Sequence, residues 1–152
     1  EHPVTEFVTG IDLVKAQMKI AAGEPLPFRQ EDIELRGHSI ECRINAESPE
    51  HNFRPCPGKI TALHIPGGPG IRVDSSVYQG YTITPYYDSM IAKLIVHAPT
   101  REEAIAKMKW ALAEFIVEGV DTNIDFQLEL IRDPVFEKGN YDIGYLGRKM
   151  NL

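Results

Sequence analysis

The run from His38 to Glu47 alternates between apolar and polar side chains, and this alternation constrains the fold more than any other feature of the chain. The apolar side chains on one side of an extended backbone are Ile40, Cys42, Ile44 and Ala46. The polar side chains on the opposite side are Glu41, Arg43, Asn45 and Glu47. A period of two residues predicts a β-strand with one buried face, so the domain must contain a sheet with an apolar side to cover.

The segments around this strand predict further strands in the middle of the chain and helices towards both ends. Predicted strands run over 60–65, 71–73, 77–78 and 90–96. Predicted helices run over about 10–22, 101–115 and 122–131, each opening on a capping box in which a threonine precedes an acidic residue by three positions. Asp133-Pro134 is expected to stop the last of them, and the apolar tail beyond it is expected to dock. This order predicts an α+β fold, a mainly antiparallel sheet with flanking helices.

Composition excludes several classes of function. The formal net charge of -6 over 152 residues argues against nucleic acid as the main partner, because binding there depends on basic side chains. No stretch approaches the roughly 20 apolar residues of a membrane span. The two cysteines form no C-x-x-C pair, which predicts a reduced, cytoplasmic protein. The five histidines have no ligand spacing, so no metal site is predicted in this chain.

The polar side of the first strand has two interpretations. An arginine flanked by carboxylates two residues away is held in place, with its planar fork free for an oxyanion. The commoner alternative is the solvated face of an antiparallel sheet. Lys93, in the apolar 90–96 run, is either a functional amine or, more commonly, a residue that reaches solvent from a sheet edge. The glycine- and proline-rich segment 66–70 predicts a turn and not a phosphate-binding loop, because no helix follows it.

Several stretches in order give the chain a family resemblance. They are E-H-P-V-T-E at the start, A-A-G-E-P-L, R-G-H-S-I-E-C-R-I-N-A-E, P-C-P-G-K-I, P-Y-Y-D-S-M-I-A-K-L-I and G-V-D-T-N. Together they resemble the C-terminal domain of biotin carboxylase, the ATP-grasp ligase component of acetyl-CoA carboxylase, over essentially the whole chain. The resemblance implies that residues 1–24 are the tail of the ATP-grasp region with its linking helix and 25–152 the C-terminal domain. The chain is then expected to be a fragment that begins inside an active site and is inactive alone.

The resemblance also implies roles for individual residues. Glu1 matches the general base that deprotonates bicarbonate for attack on ATP. Arg43 matches the arginine that contacts bicarbonate and stabilises the biotin oxyanion. Residues expected to position Arg43 are Glu41, Asn45, Glu47 and Asp88, the last of which pairs either with Arg43 or with an interface arginine.

Further matches concern the nucleotide and the homodimer interface. Ile143 matches an aliphatic residue that packs on adenine, and Arg72 matches a residue of the homodimer interface. Implied cofactors are ATP, Mg²⁺ or Mn²⁺, bicarbonate and biotin, with the metal ligands outside this chain. Implied partners are the rest of the carboxylase chain, a second copy of it, the biotin carboxyl carrier protein and the carboxyltransferase of fatty acid synthesis.

Two alternatives stand beside this interpretation. One is a stand-alone, non-catalytic module that serves in binding or dimerisation. The other is the same domain from a pyruvate, propionyl-CoA or urea carboxylase, which shares the chemistry of biotin carboxylation but differs in the final carboxyl acceptor.

Overall fold

A three-stranded antiparallel sheet forms the centre of the domain. The computed structural model describes residues 1–150, and the end of the predicted apolar tail, 151–152, lies outside them. The central strand is β8 (Met90–Ala98), with β1 (His38–Asn45) on one side and β6 (Ile71–Ser75) on the other. Each cross-sheet row joins one residue from each strand, as in the row Arg43, Lys93, Asp74. The α+β prediction is therefore confirmed.

Short strands outside the central sheet form three separate pairs. Their strands are β2 (Glu47–Ser48), β3 (Arg54–Pro55), β4 (Gly58–Lys59), β5 (Ala62–His64), β7 (Thr82–Ile83) and β9 (Ile116–Glu118). They pair as β2 with β3, β4 with β7, and β5 with β9. The predicted 60–65 strand is thus reduced to three residues, and the predicted strand at 77–78 does not form.

The apolar face of the central sheet packs on helix α3 (Arg101–Glu114). Cys42, Ile44 and Leu94 are buried on this face, as the alternation predicted. Thr100 caps the helix as predicted, because its side chain accepts a hydrogen bond from the Glu103 N–H at 3.2 Å. Trp110 on the same helix is 46% exposed.

The N-terminal segment differs from the prediction of one helix over 10–22. It forms two helices, α1 (His2–Thr9) and α2 (Leu13–Ala21), separated at Gly10, whose φ of 72° ends α1. Asp12, not Thr9, caps α2, accepting a hydrogen bond from the Lys15 N–H at 2.8 Å. Helix α1 was missed because an eight-residue helix has too few turns for a clear periodicity.

The C-terminal part contains three short helices. They are α4 (Ile124–Ile131), α5 (Pro134–Glu137) and α6 (Tyr145–Met150). The predicted cap at Thr122 is wrong, because the residue at the N-cap is Asn123. Asp133 accepts hydrogen bonds from Tyr145 and Lys149, so α6 docks as expected of the tail.

Two glycines in the quoted motifs are required by close backbone approaches. A Cβ on Gly37 would lie 2.4 Å from the carbonyl oxygen of Ala98, and one on Gly119 would lie 2.2 Å from that of Lys59. Both glycines also have positive φ, which other residues rarely adopt. These motif glycines hold the fold together and do not themselves form a binding loop.

None of the helices in residues 1–150 has both the length and the apolar character that a membrane span requires.

Candidate active site

Helix α1 covers the polar face of the sheet, so this face is not the solvated surface that was the commoner expectation. Pro3 on α1 is buried against the sheet. The Glu41 side chain, in the middle of β1, is only 9% exposed. The acidic and basic side chains of β1, β8 and β6 therefore meet those of α1 in a partly dry layer, where their interactions are stronger than in water.

Glu1 and Arg43, the two residues predicted to be catalytic, come together at the edge of this layer. Glu1, at the N-cap of α1, accepts a hydrogen bond from Arg43 Nη2 at 3.1 Å. Glu41 accepts from Arg43 Nε at 3.4 Å. The three side chains, with Val4 and Gln127, surround an open cavity of about 490 Å³. The Arg43 side chain lines this cavity and remains 54% exposed, so the donors that Glu1 and Glu41 do not use are accessible.

The buried Oε2 of Glu41 has no hydrogen-bond partner within the described chain. A buried carboxylate oxygen without a donor is costly, and such atoms are commonly satisfied by a ligand. Glu41 therefore holds the arginine with one oxygen, while its other oxygen is buried away from solvent.

The other residues predicted to position Arg43 do not contact its side chain. Asn45 donates to Glu47 at 3.2 Å, and Ser89 donates a second hydrogen bond to the same Glu47 oxygen. Asp88 accepts from the N–H of Met90 at 2.8 Å and pairs neither with Arg43 nor with Arg72. These groups order the end of β1 and the start of β8, so any effect on the arginine passes through the backbone.

A second charged cluster lies on the same face, centred on Arg72 of β6. Arg72 makes a bidentate contact with Asp74 at 2.7 and 2.8 Å and donates to Glu6 of α1 at 2.6 Å. Hydrogen bonds to Asp74 and Glu6 raise the pKa of the Arg72 guanidinium above its ordinary value. Hydrogen bonding from Arg72 lowers the pKa of Asp74. Burial by itself would raise the pKa of Glu6, but the hydrogen bonds it accepts outweigh burial and lower it.

Lys93 and His2 adjoin the Arg72 cluster, to which Glu6 links them. Lys93 Nζ lies 3.2 Å from His2 Nε2, and His2 Nδ1 lies 3.2 Å from a Glu6 oxygen. The expectation that Lys93 reaches solvent from a sheet edge is wrong, because β8 is the central strand. The side chain is half-buried beneath α1.

Ile143 borders an apolar cavity behind the acid–arginine pair. This cavity has a volume of about 290 Å³, and its lining includes Ile40, Leu130, Phe136 and Leu146. The Ile143 side chain is fully exposed, so it lies at the rim. Glu41 and Gln127 line both this apolar cavity and the open cavity beside Glu1 and Arg43, so they separate the two. Cys42 also faces it, and burial raises the pKa of its thiol to about 12, so the thiol stays protonated.

Two site residues, Asn123 and Gln127, were not predicted from the sequence. Both belong to the start of α4 and contact the backbone of Arg43, about 80 positions earlier in the chain. The one sequence signal in this region was the G-V-D-T-N motif, whose last residue is Asn123. Among residues 1–150 no group of three or more His, Cys, Asp or Glu side chains is arranged to hold a metal ion.

Fold and site define an α+β domain that presents a glutamate–arginine pair beside an apolar cavity. The biotin carboxylase C-terminal domain family model matches residues 41–148. The chain therefore belongs to the biotin carboxylase C-terminal domain family. Residues 1–29 match a second model, the carbamoyl-phosphate synthase L chain, ATP binding domain.

Individual relatives agree with this assignment. A biotin carboxylase of Allochromatium vinosum is 56% identical over all 152 residues, which make up 34% of that relative. A pyruvate carboxylase component of Methanothermobacter thermautotrophicus is 57% identical over 139 residues, 91% of this chain and 28% of the relative. The chain thus spans about a third of the length of the curated relatives it matches.

A solved structure matches as well. It is the biotin carboxylase domain dimer of Hydrogenobacter thermophilus 2-oxoglutarate carboxylase, in complex with MgADP, ADP and bicarbonate. The TM-score is 0.96 at 50% identity, over 99% of this chain and 33% of the other.

Proposed function

We propose that this chain forms the C-terminal part of a biotin carboxylase, the ATP- and bicarbonate-dependent ligase that carboxylates biotin. The observation that carries the proposal is the contact between Glu1 and Arg43 at the mouth of a cavity. A carboxylate that can accept a proton and a guanidinium that can stabilise an oxyanion are the two groups that this chemistry needs.

Glu1 is proposed as the general base. Its carboxylate takes the proton of bicarbonate, and the oxygen freed of its proton attacks the γ-phosphorus of ATP, with ADP as the leaving group. The Glu1 side chain is 93% exposed in the described chain, so a small anion can reach it. The hydrogen bond from Arg43 keeps the carboxylate next to the cation that attracts bicarbonate.

Arg43 is proposed to stabilise the negative charge that develops on the ureido oxygen of biotin when its nitrogen loses a proton. Only two of its five N–H donors are used by Glu1 and Glu41, which leaves donors for this oxygen. Glu41, which accepts a hydrogen bond from Arg43 Nε, forms part of the same cavity wall. We also propose that Asn45, Glu47 and Asp88 order the strand ends that carry this wall.

The apolar cavity behind Glu41 fits the base of a nucleotide, with Ile143 at its rim. Adenine is flat and apolar on its faces, and the lining residues offer apolar and aromatic surface. Bound ATP would supply the phosphoryl group that activates bicarbonate. A divalent cation, Mg²⁺ or Mn²⁺, would be held mainly by residues other than those of this chain.

The remaining parts of the proposal concern organisation and partners. Residues 1–24 are proposed as the tail of the ATP-grasp region and 25–152 as the C-terminal domain; the boundaries of the two family-model matches support a division near this point. Proposed partners are the rest of the carboxylase, a second copy in which Arg72 lies near the interface, the biotin carboxyl carrier protein and a carboxyltransferase. We also propose a cytoplasmic location, which the two free cysteines support, and a role in fatty acid synthesis.

The test is bicarbonate-dependent ATP cleavage by the full-length enzyme, with free biotin as acceptor. We expect cleavage that depends on biotin in the enzyme and none in the 152-residue chain alone. Activity of the isolated chain would contradict the proposed division of the site. A full-length enzyme that cleaves no ATP would favour the alternative of a non-catalytic binding or dimerisation module. Carboxylation of pyruvate or of propionyl-CoA by the complete complex would instead identify the chain as part of the corresponding related carboxylase.

A further inference from the structure

Asn123 is one of only two buried polar residues in residues 1–150, the other being Ser48. It lies at the N-cap of α4, where an asparagine side chain ordinarily accepts a hydrogen bond from its own helix. Its side chain makes no such bond. The amide is therefore used elsewhere, on groups outside the helix that it begins.

These groups are backbone atoms of β1 on either side of Ile44. Asn123 Oδ1 accepts from the Asn45 N–H at 2.9 Å, and Asn123 Nδ2 donates to the Arg43 carbonyl at 3.1 Å. The Asn123 backbone N–H donates to the Asn45 carbonyl at 3.1 Å. Because β1 pairs only with β8 in the part of the chain that the structure describes, its outer edge has no strand partner there. Asn123 supplies the hydrogen bonds that a neighbouring strand would otherwise make.

The contacts enclose an irregularity in the strand. The pairing of β1 with β8 shifts register between Ile44 and Asn45, one residue beyond Arg43. Register shifts of this kind bend a strand and redirect the side chain beside them. Gln127 Nε2, one turn further along α4, lies 3.4 Å from the same Arg43 carbonyl. Gln127 also lines the open cavity beside Glu1 and Arg43. The start of α4 thus holds the backbone from which Arg43 projects.

We infer that Asn123 is a positioning residue for Arg43, acting through the β1 backbone and not through contact with a substrate. This inference rests on the proposed function of Arg43. The side-chain contacts of Arg43 are long and more than half of the side chain is exposed, so they do not fix it alone. A reacting group must be held within about 0.5 Å of its productive position, and a rigid backbone is what allows this.

The kinetic test compares Asn123→Ala with Ser48→Ala in the full-length enzyme. Both variants remove a buried polar side chain, but Ser48 bonds to His51 and not to the Arg43 backbone. We expect Asn123→Ala to lower kcat for biotin-dependent ATP cleavage about tenfold, with KM for ATP within about twofold, and Ser48→Ala to leave kcat within about twofold. Equal losses of kcat in the two variants would overturn the inference.

A double-mutant cycle then separates positioning from general damage. In an Arg43→Lys background, Asn123→Ala should cost less than about twofold, because the group it positions is gone. A full tenfold loss in that background would show that Asn123 acts independently of Arg43. Asn123→Asp keeps the shape of the side chain and serves where the alanine variant fails to fold. It replaces the donor to the Arg43 carbonyl with an oxygen, so kcat at the parental level would also overturn the inference.

A measurement independent of activity separates this inference from the proposed function. The heteronuclear NOE of the Arg43 Nε–Hε group reports whether the guanidinium is ordered. We expect an ordered signal in the parent and in Ser48→Ala, and a lower NOE in Asn123→Ala. If the parent enzyme carboxylates no biotin, the proposed function fails while this comparison still decides whether Asn123 positions Arg43. An unchanged NOE in Asn123→Ala would refute it.

Discussion

Two arginines lie on the same face of the central sheet, and they differ in how completely the chain uses their donors. Arg72 on β6 donates to Asp74 from Nε and Nη2 and to Glu6 from Nη1. Arg43 on β1 makes only two longer contacts, with Glu1 and Glu41. Arg72 is 34% exposed and Arg43 is 54% exposed.

This difference supports the proposal that Arg43 takes part in the chemistry and that Arg72 stabilises the fold. A guanidinium that donates three short hydrogen bonds to carboxylates of its own chain stabilises the packing of the elements that carry them, here α1 on β6. A guanidinium with free donors beside a cavity keeps the capacity to meet a charge that develops during a reaction. Each arginine has two acidic partners, so the difference lies in how many hydrogen bonds those partners receive and how short the bonds are.

The largest expected effect is on catalysis at Arg43. In the full-length enzyme, Arg43→Gln should lower kcat for biotin carboxylation about 10²-fold, equivalent to ~3 kcal/mol, because the lost contact forms with charge in the transition state. Arg43→Lys should also fail, since an ammonium cannot reproduce the planar fork. Steady-state kinetics with free biotin measures both. Arg36→Gln, at an exposed arginine paired with Glu34, is the control. An effect confined to KM for ATP would contradict the assignment.

The next effect is on stability at Arg72. Arg72→Gln leaves Glu6 and Asp74 without their cation, so we expect the free energy of unfolding to fall by about 1–3 kcal/mol. Denaturant unfolding measures the change. Arg29→Gln, at an exposed ion pair, should cost less than about 0.5 kcal/mol. If Arg72→Gln leaves stability at the level of that control, the proposed contrast between the two arginines does not hold.

The Arg72 cluster should also make stability depend on pH. The pKa values of Glu6 and Asp74 are lower in the folded chain than the ordinary values of 4.5 and 3.8. Both carboxylates therefore stabilise the fold above those values, and their contribution is lost as pH falls through the lower folded pKa values. Glu6→Gln should reduce the slope of stability against pH below about pH 4.5, by at most about 1.4 kcal/mol per pH unit. Unfolding curves between pH 2.5 and 6 (roughly the range over which carboxyl groups titrate) test this, and an unchanged slope would argue against the cluster.

The smallest effect is expected at Glu41. Glu41→Gln keeps the size of the side chain but weakens its hold on Arg43, so kcat should fall only about three- to fivefold. The direction is that of Arg43→Gln, because the glutamate acts through the arginine. Kinetics of the double variant provides the check, since Glu41→Gln should add little once Arg43 is changed. A larger effect than that of Arg43→Gln would mean that Glu41 contacts a substrate itself.

The comparison also shows which features could be predicted from the sequence. Alternation from Ile40 to Ala46 identified the first strand and its buried face, and Thr100 identified the start of α3. Both signals are local, because they depend on side chains only a few positions apart. The motif around Arg43 likewise located the arginine of the candidate site, because an arginine between two carboxylates on one strand face is a local arrangement.

Other features depended on contacts between distant segments. No local pattern placed α1 over the polar face, and with it Glu1 beside Arg43 and Glu6 beside Arg72. Asp88 was expected to pair with an arginine, yet its carboxylate is used by the nearby Met90 N–H. Asn123 was not predicted at all, because its partners in β1 lie 78 and 80 residues away.

By itself the sequence determined the α+β class, the register of apolar residues on β1 and β8, and the arginine most suited to an oxyanion. The tertiary structure alone decided which acidic residues reach each arginine, and so which of the two keeps more of its donors free. The physical reason is one of range. Periodicity and capping act over a few residues, whereas hydrogen bonds and ion pairs form between any groups that folding brings within about 3 Å.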